Sequence, residues 1–236
     1  MEIGIVGAGL IGGTLARKLA ALGHKVRIAN SKAPTTLGEF TGEPSITPMW
    51  AAAAVEGADL AVLTVPLKAV SDLPADVVAS LASVPIVIDT CNYYPVRDGR
   101  IDALDQGMTD SSWVASILGR PVYKVFNNIA APSLKYKSSI EPTERVGLAV
   151  AGADSADKHT VFALVDQLGF DPVDGGTLDQ SWRQQPGTPT YCLDLEASEL
   201  QDGLADTVES KIGEYLEVRD SLTDMDAAMQ RTREMM

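Results

Sequence analysis

Near its start the chain runs a short apolar stretch, Ile3-Gly4-Ile5-Val6, directly into Gly7-Ala8-Gly9-Leu10-Ile11-Gly12, after which Leu15, Leu19 and Leu22 recur at helical spacing before Gly23. A β-branched run of that length reads as a buried parallel strand, and the leucine period with a closing glycine reads as a helix. Strand, G-x-G-x-x-G turn and helix in that order leave few folds open. Gly7 permits the tight turn, Gly9 lets a backbone approach a pyrophosphate, and Gly12 lets helix and strand pack closely. The helix start then aims unpaired N–H groups and partial positive charge at an anion, with Leu10 and Ile11 supplying amides beside the glycines.

The next strand, Lys25-Val26-Arg27-Ile28-Ala29, determines which dinucleotide fits. A site for NAD places a carboxylate at the end of this strand to hold the ribose 2′-hydroxyl. Here the strand ends in Asn30-Ser31-Lys32, and the first acid after it is Glu39. A hydroxyl, an amide and an ammonium donate to a 2′-phosphate that an acid would repel. The expected cofactor is therefore NADP(H), held by Ser31 and Lys32, with Asn30 and Thr35 as lesser contacts.

Near-continuous apolar runs at 60–65, 85–89, 121–126 and 145–150 read as further buried strands, with helices near 67–82, 110–118 and 155–168 between and after them. Repeated βα units imply an α/β fold with a doubly wound Rossmann-type sheet and the ligand at the strand carboxyl ends. The pattern changes after about residue 176. The expected division is a dinucleotide-binding segment, 1–176, and a small, mostly helical carboxy-terminal region, 177–236, that closes over the substrate or joins subunits. Within that region Leu204, Val208, Ile212, Tyr215, Leu222, Met225 and Met229 mark one long amphipathic helical stretch. It would pack on the chain's own sheet or form the interface of a homodimer.

A net charge of −13 argues against nucleic acid and anionic membrane surfaces as partners, and it requires any phosphate to be attracted by local groups. No apolar run reaches membrane-spanning length, and the first strand begins too early for a signal peptide. Cys91 and Cys192 form no C-x-x-C pair and no metal-ligating pattern, which fits a reducing cytoplasm.

The set Gly7–Gly12, Asn30-Ser31-Lys32, Val65-Pro66 and Val125-Phe126-Asn127-Asn128 resembles the NADP oxidoreductases that act with coenzyme F420. The same fold family includes the catalytic amino-terminal domain of pyrroline-5-carboxylate reductase and the reductase domain of metalloreductases. The resemblance implies hydride transfer between NADPH and a deazaflavin or flavin. It implies that Val65 and Pro66 border the nicotinamide ribose and that Asn127 and Asn128 lie by the ring. The segment Ser181-Trp182-Arg183-Gln184-Gln185-Pro186 is more similar to a group of bacterial NADP-binding proteins.

Hydride transfer needs donor and acceptor carbons held about 3–3.5 Å apart and water excluded, but no strong general acid, because the cofactor carries the electronic work. His24 and His159 are expected on the surface, and Cys91, with no neighbouring histidine, is expected to pack. The loop Thr90-Cys91-Asn92-Tyr93-Tyr94 offers amide and aromatic groups at a strand end; Tyr93 and Tyr94 could cover a flat ring or merely pack the loop. Trp182 and Arg183 are candidates for closing the pocket over a small-molecule acceptor, or for tying their loop to the surface. Three functions remain open on these residues: an NADPH-dependent reductase of a deazaflavin, flavin or other conjugated acceptor; an imine reductase of the pyrroline-carboxylate kind; and a protein that senses the NADPH/NADP ratio without turnover.

Overall fold

The glycine turn lies between two elements that the computed structural model forms as the sequence dictates: β1 (Glu2–Val6) and α1 (Leu10–Ala21). The model describes residues 1–236, the side chains of Pro142 and Asp226 excepted. The remaining strands are β2 (Lys25–Ala29), β3 (Ile46–Pro48), β4 (Leu60–Leu63), β5 (Ile86–Asp89), β6 (Tyr123–Lys124), β7 (Gly147–Val150) and β8 (Asp171–Asp174). The helices are α2 (Ala51–Val55), α3 (Ala75–Ser83), α4 (Pro95–Asp98), α5 (Asp102–Asp105), α6 (Asp110–Leu118), α7 (Ala131–Tyr136), α8 (Ala156–Gln167), α9 (Ala197–Asp206), α10 (Ile212–Asp220) and α11 (Met225–Glu234).

Strands β1 to β6 form one parallel sheet in the order β3-β2-β1-β4-β5-β6. The chain reverses direction across the sheet between β1 and β4, so a crevice opens outside their carboxyl ends, where α/β sheets of this topology take their ligands. The fold is the doubly wound Rossmann type that the repeated βα units imply. Ile3, Ile5, Leu15, Val26, Ile28 and Val62 belong to one apolar layer against the sheet, and Val6, Leu63, Leu67, Val87 and Trp113 belong to another. Alternate residues of β1 and β4 thus feed opposite faces, as the period of a strand requires.

Four expectations are corrected. The run 121–126 pairs as a strand only at Tyr123 and Lys124. Residues 147–150 do not join the main sheet: β7 pairs in parallel with β8 in a separate two-stranded sheet, tied to β6 by one antiparallel rung between Lys124 and Ala151. The helix expected at 67–82 is a 3-10 turn, Leu67–Val70, followed by α3, because Pro74 cannot continue a helix and instead caps the next one. The long carboxy-terminal helix is broken into α9, α10 and α11. The Thr207 hydroxyl donates to the Gly203 carbonyl (2.7 Å) as its backbone turns extended, and Asp224 caps α11 by accepting from the Ala227 N–H (2.8 Å).

Candidate nucleotide and acceptor site

The turn 7–12 is built for close approach. Gly7 has φ +115°, and a Cβ there would collide with the Thr64 carbonyl; a Cβ on Gly12 would collide with the Gly7 carbonyl and stand 2.7 Å from Thr64 Cγ2. These two glycines are fixed by the fold itself. Gly9 differs: it caps α1 in an extended conformation and a Cβ would meet no atom within 4 Å. The space beside Gly9 is open and no side chain caps α1, so its first amides are left for a group other than a side chain. Leu10 and Ile11 are half-buried at the helix start.

At the end of β2 the Asn30 carboxamide orders the next turn, accepting from the Lys32 N–H (2.8 Å) and donating to the Thr36 hydroxyl (3.0 Å). Ser31 and Lys32 are left exposed, and no ion pair uses Lys32 among the described residues. Thr36, not Thr35, makes the contact with Asn30; Thr35 is an exposed residue of the 3-10 turn Pro34–Phe40.

Across the crevice the ends of β4, β5 and β6 are stitched together. The Cys91 thiol donates to the Val65 carbonyl (3.2 Å), and burial raises its pKa well above the ordinary thiol value, which leaves a packing residue and no nucleophile. The Asn92 amide donates to the Asn127 carbonyl (2.9 Å) and to the Tyr191 hydroxyl (3.2 Å). The Tyr94 hydroxyl donates to that of Tyr191 (2.7 Å). The Asn127 amide donates to the Gln184 carbonyl (2.7 Å) and to Asn92 Oδ1 (3.2 Å), while Asn127 Oδ1 accepts from Gln184 Nε2 (2.7 Å). Burial pushes the Tyr94 phenol up to about 12 and raises that of Tyr191 too, so both hydroxyls stay protonated at neutral pH.

The buried Asn127 side chain is thus fully committed to Asn92 and Gln184. Asn128 is as deeply buried, yet its Oδ1 finds no hydrogen-bond partner. A buried acceptor with no partner is a group that a ligand amide can satisfy, and the open space at Gly9 is one that a phosphate can fill. Val65 is half-buried and Pro66 exposed at the end of β4, on the crevice side of Cys91.

Three sequence candidates lie elsewhere. Tyr93 is wholly buried: its hydroxyl donates to the Gly99 carbonyl (3.1 Å) and accepts from the Ile101 N–H (3.0 Å), and its ring packs under the Arg219 guanidinium. An alternation of one residue sends Tyr93 inward and leaves Asn92 and Tyr94 at the strand ends. Arg183 ties its own segment down, donating to the Gly175 carbonyl (3.2 Å) and reaching the Leu204 carbonyl (3.5 Å). Trp182 lines a separate cavity of about 470 Å³ that includes Tyr93 and Asp110 but none of Asn92, Asn127 and Asn128. His159 is exposed; His24 is half-buried against the amino-terminal nitrogen (3.2 Å).

Beneath the site sits a charge cluster that the sequence did not advertise. Lys124 is fully buried, donating to the Cys91 carbonyl (3.2 Å) with its Nζ 3.8 Å from Asp110 Oδ2. Asp89 accepts from the Cys91 N–H (2.9 Å) and the Ser111 hydroxyl (2.6 Å), and Asp110 accepts from the Tyr93 N–H (3.1 Å). Burial raises the Asp110 pKa. These bonds fix the backbone of the 89–94 loop, and so the direction of Asn92.

Residues 2–93, which contain the glycine turn and the 89–93 loop, match the model of the family described as NADP oxidoreductase, coenzyme F420-dependent. A hypothetical protein of Sinorhizobium meliloti, SMa0349, has the same fold with a TM-score of 0.70 and 30% identity over 83% of this chain and 95% of its own. The chain belongs to the F420-dependent NADP oxidoreductase family. A second structure, a putative F420-dependent NADP-reductase from an Arthrobacter species, shares the fold at a TM-score of 0.64, with 24% identity over 78% of this chain and 87% of its own. The putative protein YjhV of Escherichia coli is 48% identical over 56 residues, and the match spans only 41% of that protein's length. The family takes its description from NADP-dependent oxidoreductases. No helix among the described residues is long and apolar enough to cross a membrane.

Tyr191 and Gln184 are the site residues that sequence reasoning missed. Tyr191 carries no motif and Gln184 sits inside a 3-10 turn, Leu178–Gln184, where the sequence reads as a loop. The one usable signal was the Asn127-Asn128 pair, since two buried amides demand polar partners from another segment.

Proposed function

We propose that the protein is an NADPH-dependent reductase that delivers hydride to a small conjugated acceptor, a deazaflavin or flavin, at the carboxyl ends of β4, β5 and β6. The observation that carries this reading is the Asn92–Asn127–Gln184 and Asn92–Tyr191–Tyr94 hydrogen-bond net, anchored after β5 and β6, while the Gly9 turn follows β1, so both follow carboxyl ends of strands of the one parallel sheet. The reduced nicotinamide supplies the hydride. Gly9 and the first amides of α1 hold the pyrophosphate, and Ser31 and Lys32 hold the 2′-phosphate. The Asn128 carboxamide oxygen, a buried acceptor without a partner, would be free to accept from the nicotinamide amide. Asn127 and Gln184 hold Asn92, and the two tyrosine rings exclude water from one side.

The test is loss of reduced-nicotinamide absorbance on mixing the protein and NADPH with F420, FMN or FAD. Turnover with one of them supports the reading. Tight NADPH binding with no oxidation by any acceptor offered would favour a sensor. A second reading rests on one observation: hydrogen-bonded hydroxyls of Tyr94 and Tyr191 provide a proton donor, which a flavin does not need at the transfer step but an imine does, hydride going to carbon and the proton to nitrogen. Tyr191→Phe with a cyclic imine separates the two. A turnover loss of about 100-fold at unchanged NADPH affinity supports imine reduction; flavin turnover insensitive to the change supports the first reading.

A further inference from the structure

A cavity of about 590 Å³ runs from Gly9 and Leu10 down the outer face of α1, and its far wall is α11, which presents Met229 and Arg233 to it. These two residues are four apart and share one helix face. In a chain of net charge −13, this cavity is lined by Arg17, Lys18, Lys135 and Arg233 against two carboxylates, those of Glu39 and of the last residue, Met236. Local charge of that sign beside a helix start calls for an anion.

Three of the four cations already have partners. Arg17 pairs with Glu43 (2.8 Å) and stands over the Phe40 ring, Lys18 donates to the Ser138 hydroxyl (2.7 Å), and Lys135 donates to the Met236 carboxylate. The Arg233 guanidinium makes no ion pair or side-chain hydrogen bond among the described residues, although it borders the same cavity as the uncapped end of α1. Arg233 is exposed and is, of the four, the cation free to turn toward an anion at the start of α1.

We propose that α11 is the fourth wall of the dinucleotide site and that Arg233 binds the pyrophosphate from the side opposite the Gly9 turn. The proposal rests on the cofactor reading above and adds a residue that the βα-unit frame does not supply. The carboxy-terminal helix thereby serves the phosphate end of the cofactor, with Met229 covering the apolar flank of α1. A guanidinium suits this role because it meets phosphate oxygens in pairs, where an ammonium acts as a point charge.

The test uses the full chain and measures NADPH and NADH dissociation constants by fluorescence titration, with ligand-free thermal unfolding as the folding control. Arg233→Ala is expected to weaken both cofactors about tenfold or more and by similar factors, since the pyrophosphate is common to them. Arg233→Lys restores part of the loss. Higher salt narrows the difference between wild type and Arg233→Ala. Arg231→Ala, two residues away on another face, leaves both affinities unchanged. In hydrogen exchange, NADPH protects the amides of residues 225–234. Unchanged affinity in Arg233→Ala, an equal loss in Arg231→Ala, or no protection of α11 overturns the proposal while a wild type that binds NADPH keeps the cofactor reading. A wild type that binds neither cofactor overturns both.

Discussion

Two glycines three residues apart are predicted to fail in different ways when each becomes alanine. At Gly9 the backbone is extended, φ −78° and ψ −164°, and a Cβ meets nothing within 4 Å, so Gly9→Ala introduces no clash. It forfeits only the glycine preference at the helix N-cap, on the order of 0.5–1 kcal/mol. For a chain of this length that lowers Tm by about 1–4 °C. At Gly12 the new methyl would run into the Gly7 carbonyl oxygen and lie 2.7 Å from Thr64 Cγ2. No side-chain rotation relieves a contact between Cβ and backbone, so α1 must move off the β1–β4 end. Overpacking of this kind costs about 3 kcal/mol, or roughly 6–12 °C. The functional consequences run the other way for Gly9: its methyl fills the space a phosphate needs, and NADPH affinity should fall by about 100-fold or more. Thermal unfolding by circular dichroism, with NADPH titration by fluorescence on the same samples, reads both quantities. Gly9→Ala binding NADPH like wild type would make that glycine a structural residue only. Gly12→Ala with unchanged Tm would refute the packing argument.

Ser31→Ala with Lys32→Ala should weaken NADPH at least tenfold and NADH little, because both side chains are exposed at the β2 end and have no acid beside them; comparable losses for the two cofactors would remove the 2′-phosphate assignment. Lys124→Met strands Asp110 without its buried cation, and should cost about 3–5 kcal/mol in urea unfolding; a neutral or stabilising result would show that the cluster does not depend on the charge. The Arg219 hydrogen bond, 2.6 Å to its Nε, lowers the Asp220 pKa below the ordinary 3.8. A depressed carboxylate adds stability that is complete above pH 3.8 and is lost as pH falls through the folded value. Asp220→Asn should therefore be less stable than wild type at pH 6, by about 1 kcal/mol given the exposure of the pair, with the gap closing below pH 3.8; a gap independent of pH would place the effect outside this ion pair.

The form of the glycine turn and of the β2 end was legible because its signals are local. The Gly7–Gly12 turn, the helix period after it and the missing acid at Asn30-Ser31-Lys32 all lie within a few residues of the chemistry they imply. The strands at 60–63 and 86–89 were equally plain, since a strand buried on both faces is apolar throughout. The acceptor half was not, because it is assembled from residues far apart in the chain: Asn92, Asn127, Gln184 and Tyr191 meet only through tertiary hydrogen bonds. Nor does sequence say which of two adjacent residues turns inward. Tyr93 and Tyr94 have the same chemistry, and a strand end one residue longer would exchange them. Lys124 shows the same limit, for its position in an apolar run marks it as buried but not as the partner of Asp110. The breaks between α9, α10 and α11 turn on Thr207 and Asp224, whose capping bonds outcompete an amphipathic period that reads as continuous.

Both outer edges of the main sheet are blunted, and this restricts how copies of the protein can meet. Strand β3 is three residues long and ends in Pro48, which has no N–H to offer a neighbour. Strand β6 is two residues long, and the backbone groups of Lys124 that face outward are taken by Ala151, with N–H to carbonyl distances of 2.8 and 3.0 Å in the two directions. That rung runs antiparallel, so it ends the parallel ladder instead of extending it. Edge-to-edge growth of the sheet, the usual route by which open α/β sheets aggregate or fuse across a two-fold axis, has no free template at either side.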